Sequence, residues 1–191
     1  MPDQLSFAEL APKSHVDCLF FAVLPDEQTA ERLIDVQTRL VNRHRLRGKL
    51  MEPDRLHVTL RLVGNYDGLP ESVVDDAKRA GNSIAMGPFD VAFSHAATLG
   101  GEAFALFRGE GSEALVALGD AIGVAMAKVG LRSSASQFKT PHISLLRAPS
   151  RVPEERVEPT RWTAREFVLI QSLIGKKEHR IKARWPLLPK A

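Results

Sequence analysis

Two short stretches of the chain carry the same reactive side chains, "LHVTL" at 56–60 and "PHISL" at 141–145. Each holds a histidine followed two residues later by a hydroxyl: His57 with Thr59, and His142 with Ser144. Side chains alternate along a strand, so His57 and Thr59 share one face while Val58 and Leu60 share the other. His142 and Ser144, against Ile143 and Leu145, repeat that arrangement. An imidazole with its ordinary pKa of about 6.5 serves as a base when neutral and as an acid when protonated. Two of them across a groove can take one proton and give another without a metal. The hydroxyls beside them are donors for the oxygens of a phosphate ester.

One such motif is explained equally well by a core histidine bonded to backbone. Two copies, on two predicted strands about half a domain apart, favour a single groove supplied by both. A two-histidine metal site is the chemical rival, but no third histidine or carboxylate stands at ligand spacing. Arg147 adds a fixed cation suited to phosphate. Its odd spacing from His142 points it to the opposite face unless the strand ends or bends. Alternation likewise puts Arg61 on the His57 face.

The elements that must position these residues are legible as periodicity. The run "CLFFAVLP" at 18–25 is apolar throughout, short and stopped by proline, which predicts a buried strand. Asp26 is the expected N-cap of a helix whose apolar positions include Ala30, Leu33, Ile34, Leu40 and Val41. That helix runs into a basic connector with Arg43, Arg45, Arg47 and Lys49, either a solvated helix end or an RNA-backbone contact. After the first motif strand, "NYDGLP" reads as a turn. Helical spacing returns over 70–84 and 112–129, and between them two strands flank a Gly-Gly-Glu turn. The segment 148–161, rich in proline and charge, reads as a loop, followed by strands in "REFVLIQSLI" and "HRIKARWPLL". His15 belongs to the N-terminal arm, His44 and His179 read as exposed among charges, and His95 as structural or rim. Trp162 and Trp185 read as packing residues.

The resulting fold class is α+β, with mostly antiparallel strands around a central groove and helices outside. Residues 1–17 are expected to form a flexible arm before a single bilobal domain over 18–191. The composition, 44% hydrophobic and 26% charged, is that of an ordinary soluble globular protein. No apolar run approaches the ~20 residues that span a bilayer. The N-terminus has neither the basic start nor the apolar core of a secretory signal. Cys18 is the single cysteine, which excludes an internal disulfide and fits a reducing cytoplasm. A net charge of +3 permits an anionic substrate without demanding nucleic acid.

At "LFFAVLP", "LHVTLRLVGN", "FKTPHISLLR" and "FVLIQSLIG…RWPL" the chain resembles the two-histidine phosphoesterases. Within them it is most similar to the RNA 2′,3′-cyclic phosphodiesterase group, also named 2′-5′ RNA ligases. The resemblance covers most of the chain from Cys18 onward. It implies a bilobal α+β fold with one motif strand per lobe, and opening of a 2′,3′-cyclic phosphate to a 2′-phosphate with no metal or cofactor. It implies His57 and His142 as the catalytic pair, with His142 activating water and His57 protonating the departing 3′-oxygen. Thr59, Ser144 and Arg147 fall on positions that hold the phosphate, and Phe138 on an aromatic that stacks the terminal base. Lys139, just before the second motif, is a further phosphate candidate. The implied partners are RNA ends or small cyclic nucleotides, tRNA fragments among them, acted on by a monomer with no membrane attachment. Reverse 2′-5′ ligation, action on a 2′-5′ oligonucleotide or an ADP-ribose cyclic phosphate, and an idle RNA-end binding module are the alternatives. Serine in the second motif, where threonine is commoner, keeps the hydroxyl and drops a stiffening methyl.

Overall fold

The structure, a computed structural model, describes residues 16–132, 140–147, 151–176 and 178–188. Along them run β1 (Val16–Val23), α1 (Glu27–Arg43), β2 (Lys49–Leu50), β3 (Val58–Asp67), α2 (Glu71–Asn82), β4 (Phe89–Leu99) and β5 (Ala103–Phe107). Then follow α3 (Ser112–Lys128), β6 (His142–Arg147), β7 (Glu155–Ala164), β8 (Glu166–Leu173) and β9 (Glu178–Pro186). The strands form one sheet in the order β7-β4-β5-β6-β3-β1-β8-β9, with β2 against β6. The pairings are antiparallel.

The sheet has two halves that meet at the motif strands. β6 and β3 touch through a single register pair, Val58 opposite Ile143. These are the residues that follow the two histidines. Helices cover one side of both halves through a continuous apolar cluster that includes Leu19, Phe21, Leu33, Val74, Leu106, Leu118 and Ile143. The expected α+β architecture, antiparallel with helices outside, is the one observed.

Local chemistry explains the elements. Asp26 caps α1, its carboxylate accepting the Thr29 N–H at 2.8 Å. β1 is buried on both faces: Leu19, Phe21 and Val23 join the helix-side cluster, while Phe20 and Ala22 pack with Val168 and Ile170 on the other side. That double burial is why its sequence is apolar without alternation. Trp162 is buried, and Trp185 stacks on Phe167 at 5.0 Å with its indole N–H on Asn82, so both pack as expected.

Three boundaries differ from the sequence reading. β1 begins at Val16, inside the expected arm; Asp17 is buried, its carboxylate accepting from Gln171 at 2.9 Å and the Leu69 N–H at 3.0 Å. β3 continues through the "NYD" read as a turn, because pairing with Val16, Asp17 and Cys18 satisfies its backbone; the turn comes at Gly68, whose φ is +78°. β7 lies in the stretch read as a loop. It is an edge strand paired only with β4, a position where proline and outward charges are tolerated and interrupt the apolar pattern. Among the described residues, no helix is long and apolar enough to cross a membrane.

α3 holds β3 in place by close approach. A Cβ added to Gly119 would stand 2.8 Å from the Leu60 carbonyl oxygen, which is backbone and cannot swing away. Gly119→Ala is therefore expected to destabilise the protein by about 1–2 kcal/mol, overpacking outweighing the gain in helix propensity. Denaturant unfolding checks this, and a more stable variant would refute the close approach.

Candidate active site

Around the Val58–Ile143 pair the two motif strands turn the same way. Val58 and Ile143 are fully buried on the helix side. His57, Thr59, His142 and Ser144, one residue to either side, lie half-buried on the opposite face. The junction thus gathers two imidazoles and two hydroxyls that the sequence carries 85 positions apart, from 57 to 142.

Both rings are held by the same local bond. His57 Nδ1 lies 2.7 Å from the Arg55 carbonyl oxygen, and His142 Nδ1 lies 2.9 Å from the Thr140 carbonyl oxygen. A carbonyl only accepts, so each Nδ1 carries a proton and donates it. Each Nε2 is then the nitrogen left for chemistry. His57 is set in place where the chain leaves the tight turn Pro53–Arg55.

The electrostatics of His57 come from burial and from like charge. Its pKa is lowered to about 4, first by desolvation and then by His179, His142 and the Arg55 cation, against an opposing contribution from the Arg55 carbonyl. His57 is therefore neutral at neutral pH.

A third imidazole shares the site. His179 on β9 packs edge-on against His57 at 5.4 Å, and Phe20 touches both rings, at 5.0 Å from His57 and 5.9 Å from His179. Burial, and then Arg55, lower the His179 pKa to about 4 as well. The reading of His179 as exposed is thus corrected. Its register opposite Ser172 turns it inward, while its neighbours Glu178 and Arg180 face out and bond to each other at 2.6 Å. The signal is present as alternation along "EHRIK", but local charge hides it. His44 is also half-buried rather than exposed, its Nε2 against the Glu155 carboxylate at 2.5 Å. His95 bonds Ser94 at 3.0 Å and packs against Phe107, in keeping with a rim position.

Two β-bulges place the arginines. In β6, Phe104 pairs with Leu146 but Ala105 with Ser144, leaving Leu145 as the extra residue. Leu145 and Leu146 are both buried, and Arg147 beyond them returns to the side of His142 and Ser144. The bend that alternation demanded for Arg147 is this bulge. In β3, Ala22 pairs with Thr59 and Phe21 with Arg61, so Leu60 is extra. Arg61 is thereby thrown to the helix side, where its Nε donates to the Gly119 carbonyl at 3.1 Å and its guanidinium meets Asp120 at 3.4 Å. The expectation that Arg61 shares the His57 face is overturned for that reason. Phe138 and Lys139 lie outside the described residues. Among the described residues, no three His, Cys, Asp or Glu side chains gather as a metal-binding group. Cys18 is half-buried on the groove side, and burial raises its thiol pKa.

The fold has known counterparts. The sequence profile of the 2′-5′ RNA ligase superfamily matches residues 25–173, and the chain belongs to that superfamily. No curated protein sequence matches it. Among solved structures it is similar to E. coli LigT complexed with 3′-AMP, at 23% identity and a TM-score of 0.69 over 91% of this chain and 99% of that one. It is also similar to TT0787 of Thermus thermophilus, at 22% identity and a TM-score of 0.73 over 91% of this chain and 100% of that one. These likenesses establish the shared fold.

The depressed histidines make stability depend on pH. A group whose folded pKa lies below its unfolded value contributes stability that is lost as pH falls through that interval. For His57 and His179 the interval runs from 6.5 down to about 4. His179→Phe keeps an aromatic ring and removes one of the two titrations. Thermal midpoints measured across that interval are expected to decline less steeply in His179→Phe than in the wild type; parallel declines would refute the burial of a neutral His179.

Proposed function

We propose that the protein is a metal- and cofactor-independent RNA 2′,3′-cyclic phosphodiesterase that opens the cyclic phosphate to a 2′-phosphate. The observation that carries this reading is the matched pair of imidazoles, each with Nδ1 committed to a backbone carbonyl and Nε2 left for proton transfer. Membership of the 2′-5′ RNA ligase superfamily and the likeness to a nucleotide-bound LigT structure support it. The protein acts as a monomer in a reducing cytoplasm, on RNA ends or small cyclic nucleotides.

The division of labour follows from charge. A general base must be neutral before it acts, and burial keeps His57 so in the free protein. We therefore assign the base to His57 and the acid to His142, the reverse of the division implied by the family resemblance. Nε2 of His57 takes a proton from water as its oxygen bonds phosphorus. The bond from phosphorus to the 3′-oxygen breaks, and His142 Nε2 gives its proton to that oxygen. Thr59 and Ser144 donate to the non-bridging oxygens, and the Arg147 guanidinium balances their charge. Phe138 is the proposed platform for the terminal base.

With EDTA present, nucleoside 2′,3′-cyclic phosphates are expected to yield 2′-phosphates. His57→Ala and His142→Ala should each lower kcat by about 10²–10⁴-fold. No turnover of any cyclic phosphate by the wild type refutes the activity, and turnover only with added metal returns the site to the metal reading.

The pH dependence of kcat/KM tests the division separately. With His57 as base, the acid limb falls as pH drops through about 4. Loss of that limb in His142→Ala but not in His57→Ala would restore His57 to the acid's part.

A further inference from the structure

Arg55 does more than lend its carbonyl to His57. Its side chain is half-buried, and its Nε is fully enclosed with no hydrogen-bond partner among the described residues. A buried donor without an acceptor is rare in folded proteins. Arg55 lines a cavity of about 240 Å³ together with Lys49, Arg147, Ser172 and Gly175. β2 supplies Lys49 directly opposite Arg147. Three cations therefore face this space, and the described residues lining it include no carboxylate. The charge of Arg55 is also felt at both His57 and His179, so the cavity and the catalytic groove lie within one positive field.

We propose that Arg55 and Lys49, beside Arg147, form a second anion subsite that takes the phosphate on the 5′ side of the terminal nucleoside. This rests on the reading of the groove as a cyclic phosphodiesterase site and specifies its substrate. An RNA end bearing a cyclic phosphate has its next phosphate on the 5′-oxygen of the same nucleoside; a cyclic mononucleoside has none. The protein therefore selects RNA ends over free nucleoside cyclic phosphates. Arginine suits the task because its planar fork meets two phosphate oxygens at once.

Binding tests the subsite without relying on turnover. Calorimetric titration of the wild type at one fixed salt concentration compares a nucleoside 2′-monophosphate with the corresponding 2′,5′-bisphosphate. The bisphosphate is expected to bind at least about tenfold more tightly, and Arg55→Gln to reduce that advantage to about twofold. Because the His57 bond uses the Arg55 main chain, the substitution leaves that acceptor in place, and a thermal melt checks folding. Should Arg55→Gln not fold, Lys49→Gln, an exposed position, is expected to reduce the advantage by about threefold. Equal wild-type affinities, an unchanged advantage in the variants, or an equal loss for both ligands would overturn the subsite. A bisphosphate preference without turnover of any cyclic phosphate would instead retain the subsite and refute the catalytic reading.

Discussion

Val58 lies opposite Ile143, and through that one pair the two halves of the sheet touch. Both residues are completely buried, so the motif strands are anchored from behind and cannot roll without exposing apolar surface. Because side chains alternate, anchoring these two residues decides the direction of their four neighbours. The same contact that joins the halves thus aims His57, Thr59, His142 and Ser144 into shared space. α3 reinforces it by pressing Gly119 against the Leu60 carbonyl, one strand residue from the site.

Aiming a ring is insufficient; its protonation must also be decided. The carbonyls of Arg55 and Thr140 do this twice in the same way, each two residues upstream of its histidine. Burial beside Phe20 and the cations then withdraws the second proton from His57. An anionic substrate entering this field is attracted by the same charges that keep the ring neutral. In the proposed function the positive field serves both the chemistry and the recognition.

Much of this is legible in the chain. The helices, the β4–β5 hairpin, the motif strands and the capping role of Asp26 follow from periodicity and capping, which are local. β7 escapes such a reading because an edge strand needs no apolar alternation on its open side, so "EERVEPTR" reads as a loop. The extension of β3 through Asn65 and Tyr66 escapes it because a neighbouring strand overrides turn-forming residues. His179 and Arg61 are misplaced for a related reason, since register and bulges belong to pairs of strands rather than to one strand.

The sequence by itself determined which residues are candidates for the chemistry: two histidines with hydroxyls at alternate positions, each flanked by residues that must be buried. It also determined most of the helix and strand order around them, β2 and β7 excepted, because hydrophobic period is encoded one element at a time. Only the tertiary structure decided that these motifs meet at one backbone pair, that bulges send Arg147 toward the site and Arg61 away, and that His179 and Arg55 stand beside His57. A bulge arises when two strands of unequal count are paired, and a pKa when a group is surrounded. Neither is a property of any segment read alone.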